Sequence, residues 1–416
     1  MERLETQTIE ETPKLTKFEI MDQVHSMYYD KFVKLCQSEE LEPDIQKMIE
    51  EFVIGRIGSK KGVRAFVCNE MFKVAGGDAD NIDISYLLAA IELQLAAGYC
   101  YNVAADTKGG YVTQTKKNLA FKTHSIVEEL AVSGIDNLNI SEEKKDKIKA
   151  LFDSTWQTFY EAEVIDTILN LFKNRGKLPS EIAVEIENFD GDTKNTYGLE
   201  KQKIVDVINN LPDKPIEDYT LERTYKLNAV QLENVGNILG IILELDEDKT
   251  RYLSEYGKNY GIEMMIVNDV QDYSLDLIDD GQQKATREKN KSDVFSDLRK
   301  GKITWPIKYS IELDPESENL IKKHIGQEDI SDDECEEIRK RLIDNGALAR
   351  CVEEAVRYEK RANIAIRNFN DSESKDRLQE TSAELRLSKY VYSLEKKYGV
   401  KLQPTKVQRK KMSAER

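Results

Sequence analysis

Residues 268–280, NDVQDYSLDLIDD, place oxygen-bearing side chains at the end of an apolar run that includes Tyr260, Ile262, Met264, Met265, Ile266 and Val267. That run has helical spacing, so a helix is expected to present them. A helix turns about 100° per residue, which sets Asn268, Asp272 and Asp276 on one face, with Asp269 on its shoulder. Acceptor groups this close repel one another. Water screens the repulsion on an exposed helix, whereas a cation must offset it beside a packed apolar surface. Oxygen-only ligands suit Mg²⁺, which keeps several waters and takes one or two carboxylates together with substrate phosphates. The same residues also read as an acidic helix end facing solvent.

Downstream, residues 296–306, SDLRKGKITWP, concentrate Arg299, Lys300 and Lys302 around a glycine. A cationic loop after an acidic helix is what a metal-diphosphate ligand requires, because the metal bridges carboxylate to phosphate while Lys and Arg meet the remaining oxygens. A second cationic loop, residues 58–65 (GSKKGVRA), opens an apolar helix and offers Lys60, Lys61 and Arg64 to an anion beside helix N-terminal amides. Each loop alone says little, and a Lys-rich surface turn is a commoner use of a segment such as GSKKGVRA than a ligand site.

The elements that must position these groups are helical throughout. No proline interrupts residues 44–178, and Ile84, Leu87, Leu88, Ile91, Leu93 and Leu95 recur at helical spacing. Breaks are expected at Gly76-Gly77, at Gly109-Gly110, in the SEEKKDK stretch from Ser141, and across residues 174–215, a polar stretch read as a long loop or inserted element. Two long helices follow, over about 216–245 and 248–280. This divides the chain into an N-terminal extension at 1–45, a helical domain at 46–350, and a charged C-terminal helical extension at 351–416 ending in the basic QRKKMSAER. With 61 Lys+Arg against 77 Asp+Glu, the chain carries −16 and is a poor partner for nucleic acid. No apolar stretch of about 18 residues is present, so stable membrane insertion is not expected. The first thirty residues are acidic and show no secretory signal. Five well-separated cysteines, none in CxxC spacing, suit a reducing cytoplasm and exclude a zinc site.

Taken in order, these segments resemble the trans-isoprenyl diphosphate synthases, or polyprenyl synthetase family, within the class I terpenoid synthase superfamily. GSKKGVRA looks like the family's loop for isopentenyl diphosphate, with Lys61 and Arg64 correctly separated but Ser59-Lys60 where two glycines are usual. Residues 89–106, AAIELQLAAGYCYNVAAD, are similar to the helix of the first aspartate-rich motif. Lys226 in YKLNAVQLENVG stands at the allylic-diphosphate lysine, GKNYGIEMMIVNDVQD resembles the second aspartate-rich helix, and Lys302 in DLRKGKITWP matches the diphosphate lysine after it. The resemblance covers roughly residues 50–310. It implies an all-α class I isoprenoid synthase bundle around a deep cavity and a homodimer. It further implies Mg²⁺ held by Asn268, Asp269 and Asp272, or in the cyclase register by Asn268, Asp272 and Asp276, with Asp106 opposite.

Departures from the family pattern decide the functional expectation. The first motif is reduced to Asn102, Val103, Ala104, Ala105 and Asp106; its following arginine pair is replaced by TKGGYVT, with Lys108 the nearest cation; and Leu95 stands for the usual His or Gln, with Gln94 adjacent. The Asp272 side is therefore expected to hold metal better than the Asp106 side, and both to face the cavity. The chain is read first as an atypical Mg²⁺-dependent enzyme that ionises an allylic prenyl diphosphate, with Asp272, Lys226 and Lys302 as its catalytic groups, followed by cyclisation or transfer to an acceptor. Conventional chain elongation and a non-catalytic partner subunit of a heterodimeric synthase are the alternatives. Tyr99 and Tyr101 line the prenyl tube or fill the core, and His124 is a base or a structural histidine.

Overall fold

A computed structural model describes residues 16–37, 41–58, 62–106, 114–191, 193, 200–278, 294–380 and 384–402. Helices account for nearly all of its regular structure; among the described residues the one departure is an isolated antiparallel bridge between Leu171 and Lys302. In order, α1 is Lys17–Cys36, α2 Pro43–Met48, α3 Val63–Val74, α4 Ser85–Asp106, α5 Gln114–Asp136 and α6 Glu142–Val164. They are followed by α7 Pro179–Glu187, α8 Lys201–Asn209, α9 Thr220–Thr224, α10 Val230–Leu243, α11 Glu247–Gln271 and α12 Ser296–Arg299. The chain closes with α13 Trp305–Leu313, α14 Glu316–His324, α15 Asp332–Asp344, α16 Ala347–Ile366, α17 Glu373–Glu380 and α18 Glu384–Tyr398.

Local chemistry starts several of these helices. Thr16 and Glu19 form a reciprocal capping box on α1, Ser331 and Glu334 another on α15, and Asp246 accepts the Lys249 N–H at 2.8 Å to begin α11. Helices α10 and α11 then cross at unusually close range. Gly236 and Gly240 on one, and Gly257 and Gly261 on the other, each lie against the partner helix: Gly261 at Ala229, Gly257 at Leu232, Gly236 at Ser254 and Gly240 at Thr250. The opposite face of α11 packs against α16.

Three apolar clusters fill the molecule. The first joins α1, α3, α4, α5, α6 and α10, the second joins the C-terminal half of α11 to α13, α15, α16 and α18, and the third joins the end of α6 to α7 and α8. The expected domain limits cut through this packing. Tyr28 and Phe32 of α1 are buried in the first cluster, so residues 1–45 include core structure. A division at 350/351 falls inside α16, where Leu348, Cys351, Val352 and Ala355 are buried. Within 174–215 the described residues form the α7 and α8 hairpin, whose Ile182, Ile186, Ile204 and Ile208 cover the end of α6. Amphipathic four-residue spacing makes it a helical element and not a loop.

Candidate functional site

A cavity of about 470 Å³ lies between the start of α3, α4, α6, α9 with the turn that follows it, and α11. Val63, Leu95, Gly98, Tyr99, Phe159, Leu227, Met264, Met265 and Val267 supply its apolar wall. Two wide π-helical turns shape it: Ile165–Leu169 continues α6 and carries Asp166, while Tyr225–Ala229 continues α9 and carries Leu227 and Asn228. Such turns re-aim side chains from a helix, and they concentrate at functional sites.

The polar wall contains a buried ion network. Arg223 Nε donates to Asp166 Oδ1, Lys302 Nζ donates to Asp166 Oδ2, and Arg223 Nη1 reaches Asp269 Oδ2 at 3.5 Å. Lys302 is fixed by its backbone: its N–H donates to Asp297 O at 2.9 Å, and the flanking residues pair with the 170–172 segment, Phe172 N–H to Gly301 O and Ile303 N–H to Asn170 O, both at 2.8 Å. Burial alone would raise the Asp166 carboxyl, but Arg223 and Lys302 overcome it and hold the group well below the usual carboxylate range. Asp269 fares differently. Burial, with Asp297 and Asp166 beside it, outweighs Arg223 and pushes it up to about 6. Arg223 lies closer to Asp166 than to Asp269.

The expected site residues separate into those that reach the cavity and those that do not. Arg64, Asn102, Asn268 and Lys302 line it, as do Leu95 and Tyr99. Arg64 donates through Nη2 to Asn228 Oδ1, and its Nε is buried without a hydrogen-bond partner. Lys226 points instead to Glu161 at 2.7 Å and Glu222 at 2.9 Å, leaving its two C-terminal neighbours, Leu227 and Asn228, at the wall. Gln94 accepts from Gln231 Nε2 at 2.9 Å, and Tyr101 is enclosed by Phe121, His124, Phe159 and Tyr160. Lys60, Lys61 and Lys108 lie outside the described residues, as does the side chain of Asp106.

The shared face of Asn268, Asp272 and Asp276 is not formed, because α11 ends at Gln271. Asp272 turns to cap α12, its carboxylate accepting Ser296 N–H at 3.0 Å, Ser296 Oγ–H at 3.1 Å and Asp297 N–H at 3.2 Å. Asp276, in the turn Leu275–Leu277, receives Arg339 Nη2 at 2.7 and 2.9 Å. Asp269 is fully buried and accepts Trp305 N–H at 3.1 Å. Of the proposed Mg²⁺ ligands with described side chains, Asn268 alone opens on the cavity, and the three carboxylates are committed to protein donors. That donor set does not fit Mg²⁺, which needs several unshared oxygens about one centre.

Glu92, Glu163, Asp166, Asp297 and Arg223 also line the cavity and were not singled out from sequence. A usable signal existed for the acids: Glu92 is isolated in the apolar AAIELQL, and Glu163 and Asp166 sit three residues apart in AEVIDTIL. Glu92 accepts Ala65 N–H at 2.8 Å and so holds the turn that presents Arg64.

His124 lies behind this wall. Its Nδ1 donates to Ala97 O at 3.0 Å, and Nε2 accepts from Tyr160 Oη–H at 2.9 Å. Burial pushes the ring down to about 4, while burial with Asp153 and Glu129 pushes neighbouring Glu128 up to about 7. His124 is thus a neutral core residue. The fold holds a proton on Glu128 that the unfolded chain releases above its ordinary 4.5, so this group stabilises on the acid side and the gain is lost as pH rises through 7. His124 acts oppositely between 4 and 6.5. Glu128→Gln removes one side of that balance. Relative to wild type it is expected to lose about 2 to 3 kcal/mol as pH falls from neutral toward the ordinary Glu value. Parallel stability curves in urea across that range would count against it.

Residues 186–342 match the family model described as polyprenyl synthetase. The chain is 25% identical over 157 residues to solanesyl diphosphate synthase 1, chloroplastic, of Arabidopsis thaliana, covering 38% of this chain and 34% of that protein. It is 30% identical over 165 residues to decaprenyl-diphosphate synthase of Dictyostelium discoideum, covering 39% and 32%. The aligned stretch spans about a third of these relatives' length. Among solved structures, geranylgeranyl pyrophosphate synthetase from Pyrococcus horikoshii Ot3 superposes with a TM-score of 0.64 at 19% identity, covering 88% of this chain and 98% of that one. The all-α fold is shared. No helix among the described residues is long and apolar enough to cross a membrane.

Proposed function

We propose, from the match of residues 186–342 to the polyprenyl synthetase family model, that the chain is a prenyltransferase whose cavity binds an isoprenyl diphosphate. The observation that carries this reading is a single 470 Å³ cavity walled by apolar and aromatic groups and also by Arg64, Arg223 and Lys302. The hydrocarbon chain would lie along Leu95, Gly98, Tyr99, Phe159 and Met264. Lys302 and Arg64 would meet the diphosphate and stabilise charge as it leaves, while the apolar wall keeps water from the allylic cation. Chain elongation suits the relatives' names, which are those of solanesyl and decaprenyl diphosphate synthases. Ionisation without elongation is favoured by Asn102, which stands in the wall at a position of the first aspartate-rich motif where the family pattern has a carboxylate.

Purified protein incubated with dimethylallyl, geranyl, farnesyl or geranylgeranyl diphosphate, with and without isopentenyl diphosphate, and with and without Mg²⁺, separates the readings. Pyrophosphate release with longer products only when isopentenyl diphosphate is present supports elongation. Release from the allylic substrate alone supports ionisation, and no release under any condition rejects the enzyme and leaves the partner-subunit reading. A homodimer belongs to the same proposal, so light scattering of that preparation should read twice the 47.8 kDa chain. Five buried free thiols suit a reducing compartment, such as the cytoplasm.

A further inference from the structure

Arg223 is enclosed by carboxylates drawn from distant parts of the chain. Its Nε serves Asp166 at the end of α6, its Nη1 faces Asp269 of α11 at 3.5 Å, and Asp297 adds its field from the turn before Lys302. The residue is 2% exposed and still forms part of the cavity wall. A planar guanidinium with five donors can span two carboxylates at fixed separation, which a flexible lysine does less well. Asp269 is held in register for it by the Trp305 N–H.

We propose that Arg223 performs the charge neutralisation that a divalent metal would otherwise perform in this cavity, so that Lys302 and Arg64 bind the substrate diphosphate without one. This rests on the isoprenyl diphosphate reading above. The metal ligands implied by family resemblance are engaged elsewhere: Asp272 with the backbone of α12 and Asp276 with Arg339. Asp166 and Asp297 at the wall, and Asp269 behind it, already have a resident cation in Arg223. Asp166 is shared between Arg223 and Lys302, so Lys302 can turn to an incoming phosphate while Arg223 keeps Asp166 neutralised. Arg64 brings a buried Nε without a hydrogen-bond partner, a donor that a phosphate oxygen would satisfy. Glu92, Glu163 and Asp297 are the carboxylates such an anion still faces at the wall, beside the donors of Lys302 and Arg64.

The test is calorimetric titration of the full chain with inorganic pyrophosphate and with geranyl diphosphate, once in EDTA and once in Mg²⁺. Dissociation constants agreeing within about threefold between the two conditions are expected, whereas a loss of about tenfold or more in EDTA overturns metal independence and leaves the diphosphate reading intact. No binding of either ligand in either condition removes that reading and this proposal with it. Arg223→Gln, folded by circular dichroism, should lose about tenfold or more of its affinity in EDTA and recover it with Mg²⁺, because the released carboxylates become free to take the metal. Unchanged EDTA binding by that variant overturns the assignment to Arg223. Should Arg223→Gln fail to fold, Arg223→Lys, which spans the two carboxylates less well, should lose affinity in EDTA and recover it with Mg²⁺; unchanged EDTA binding by it overturns the assignment.

Discussion

Gly257→Ala is expected to destabilise the protein by about 3 kcal/mol or more, above the usual cost of overfilling a core. A methyl group there would press into the carbonyl oxygen of Leu232 and lie 3.0 Å from Glu233 N. Both obstacles are main chain of α10, so no rotamer change relieves them. The helix would have to move away from α11, and with it the wide turn that brings Leu227 and Asn228 to the cavity wall. Gly76→Ala is the contrasting case: φ is +89° and nothing lies within 4 Å of the added carbon, so its cost is backbone strain of about 1 kcal/mol. Urea unfolding compares the two. A Gly257→Ala midpoint equal to that of wild type would show that α10 and α11 do not approach this closely in solution.

The same crossing shows what sequence could convey. Paired glycines four apart, 236 with 240 and 257 with 261, are plain in the text, but their partner rows become evident only once the two helices are laid antiparallel. The all-α class was legible because apolar spacing persists from α3 through α6 without proline. The end of α11 was not legible. Periodicity carries on past Gln271, and what stops the helix is tertiary: Asp272 finds the N–H groups of residues 296 and 297, and Asp276 finds Arg339 sixty-three positions away. A face drawn from local spacing therefore placed Asp276 beside Asn268, where the fold does not.

Cavity residues were legible where a short motif carried them, as with Arg64, Asn268 and Lys302. Arg223 was not, because its meaning lies in a contact with Asp166 spanning 57 residues, and the reach of Lys302 to the same carboxylate spans 136. Lys226 is the converse case, directed to Glu161 and Glu222. It sits in the right segment, but the wide turn Tyr225–Ala229 shifts the helical phase and presents Asn228 to the cavity. A one-residue change of winding is invisible in a pattern of residue types.

Lys302→Ala is expected to lower pyrophosphate release by about 10²-fold or more, the usual result of removing one preorganised charge from a leaving group. The preorganisation is structural: the Leu171 bridge and the bond from its own N–H to Asp297 O fix the backbone, and burial to 2% exposure confines the ammonium group. Arg223 remains on Asp166 in this variant, so stability should fall less than when a buried ion is left alone. Lys302→Ala combined with Asp166→Asn then separates two roles. If Lys302 acts on the diphosphate, the double variant regains melting temperature but not rate. If it merely balances Asp166, both return and the assignment to the leaving group fails. Asp272→Ala supplies the comparison. As the cap of α12 it should lower the melting temperature and loosen the turn that leads to Lys302, with rate loss following stability; as a metal ligand it would abolish release at unchanged stability. A fully stable, inactive Asp272→Ala protein would return the carboxylate to the metal and remove the reason for treating its bonds to residues 296 and 297 as a scaffold for one lysine.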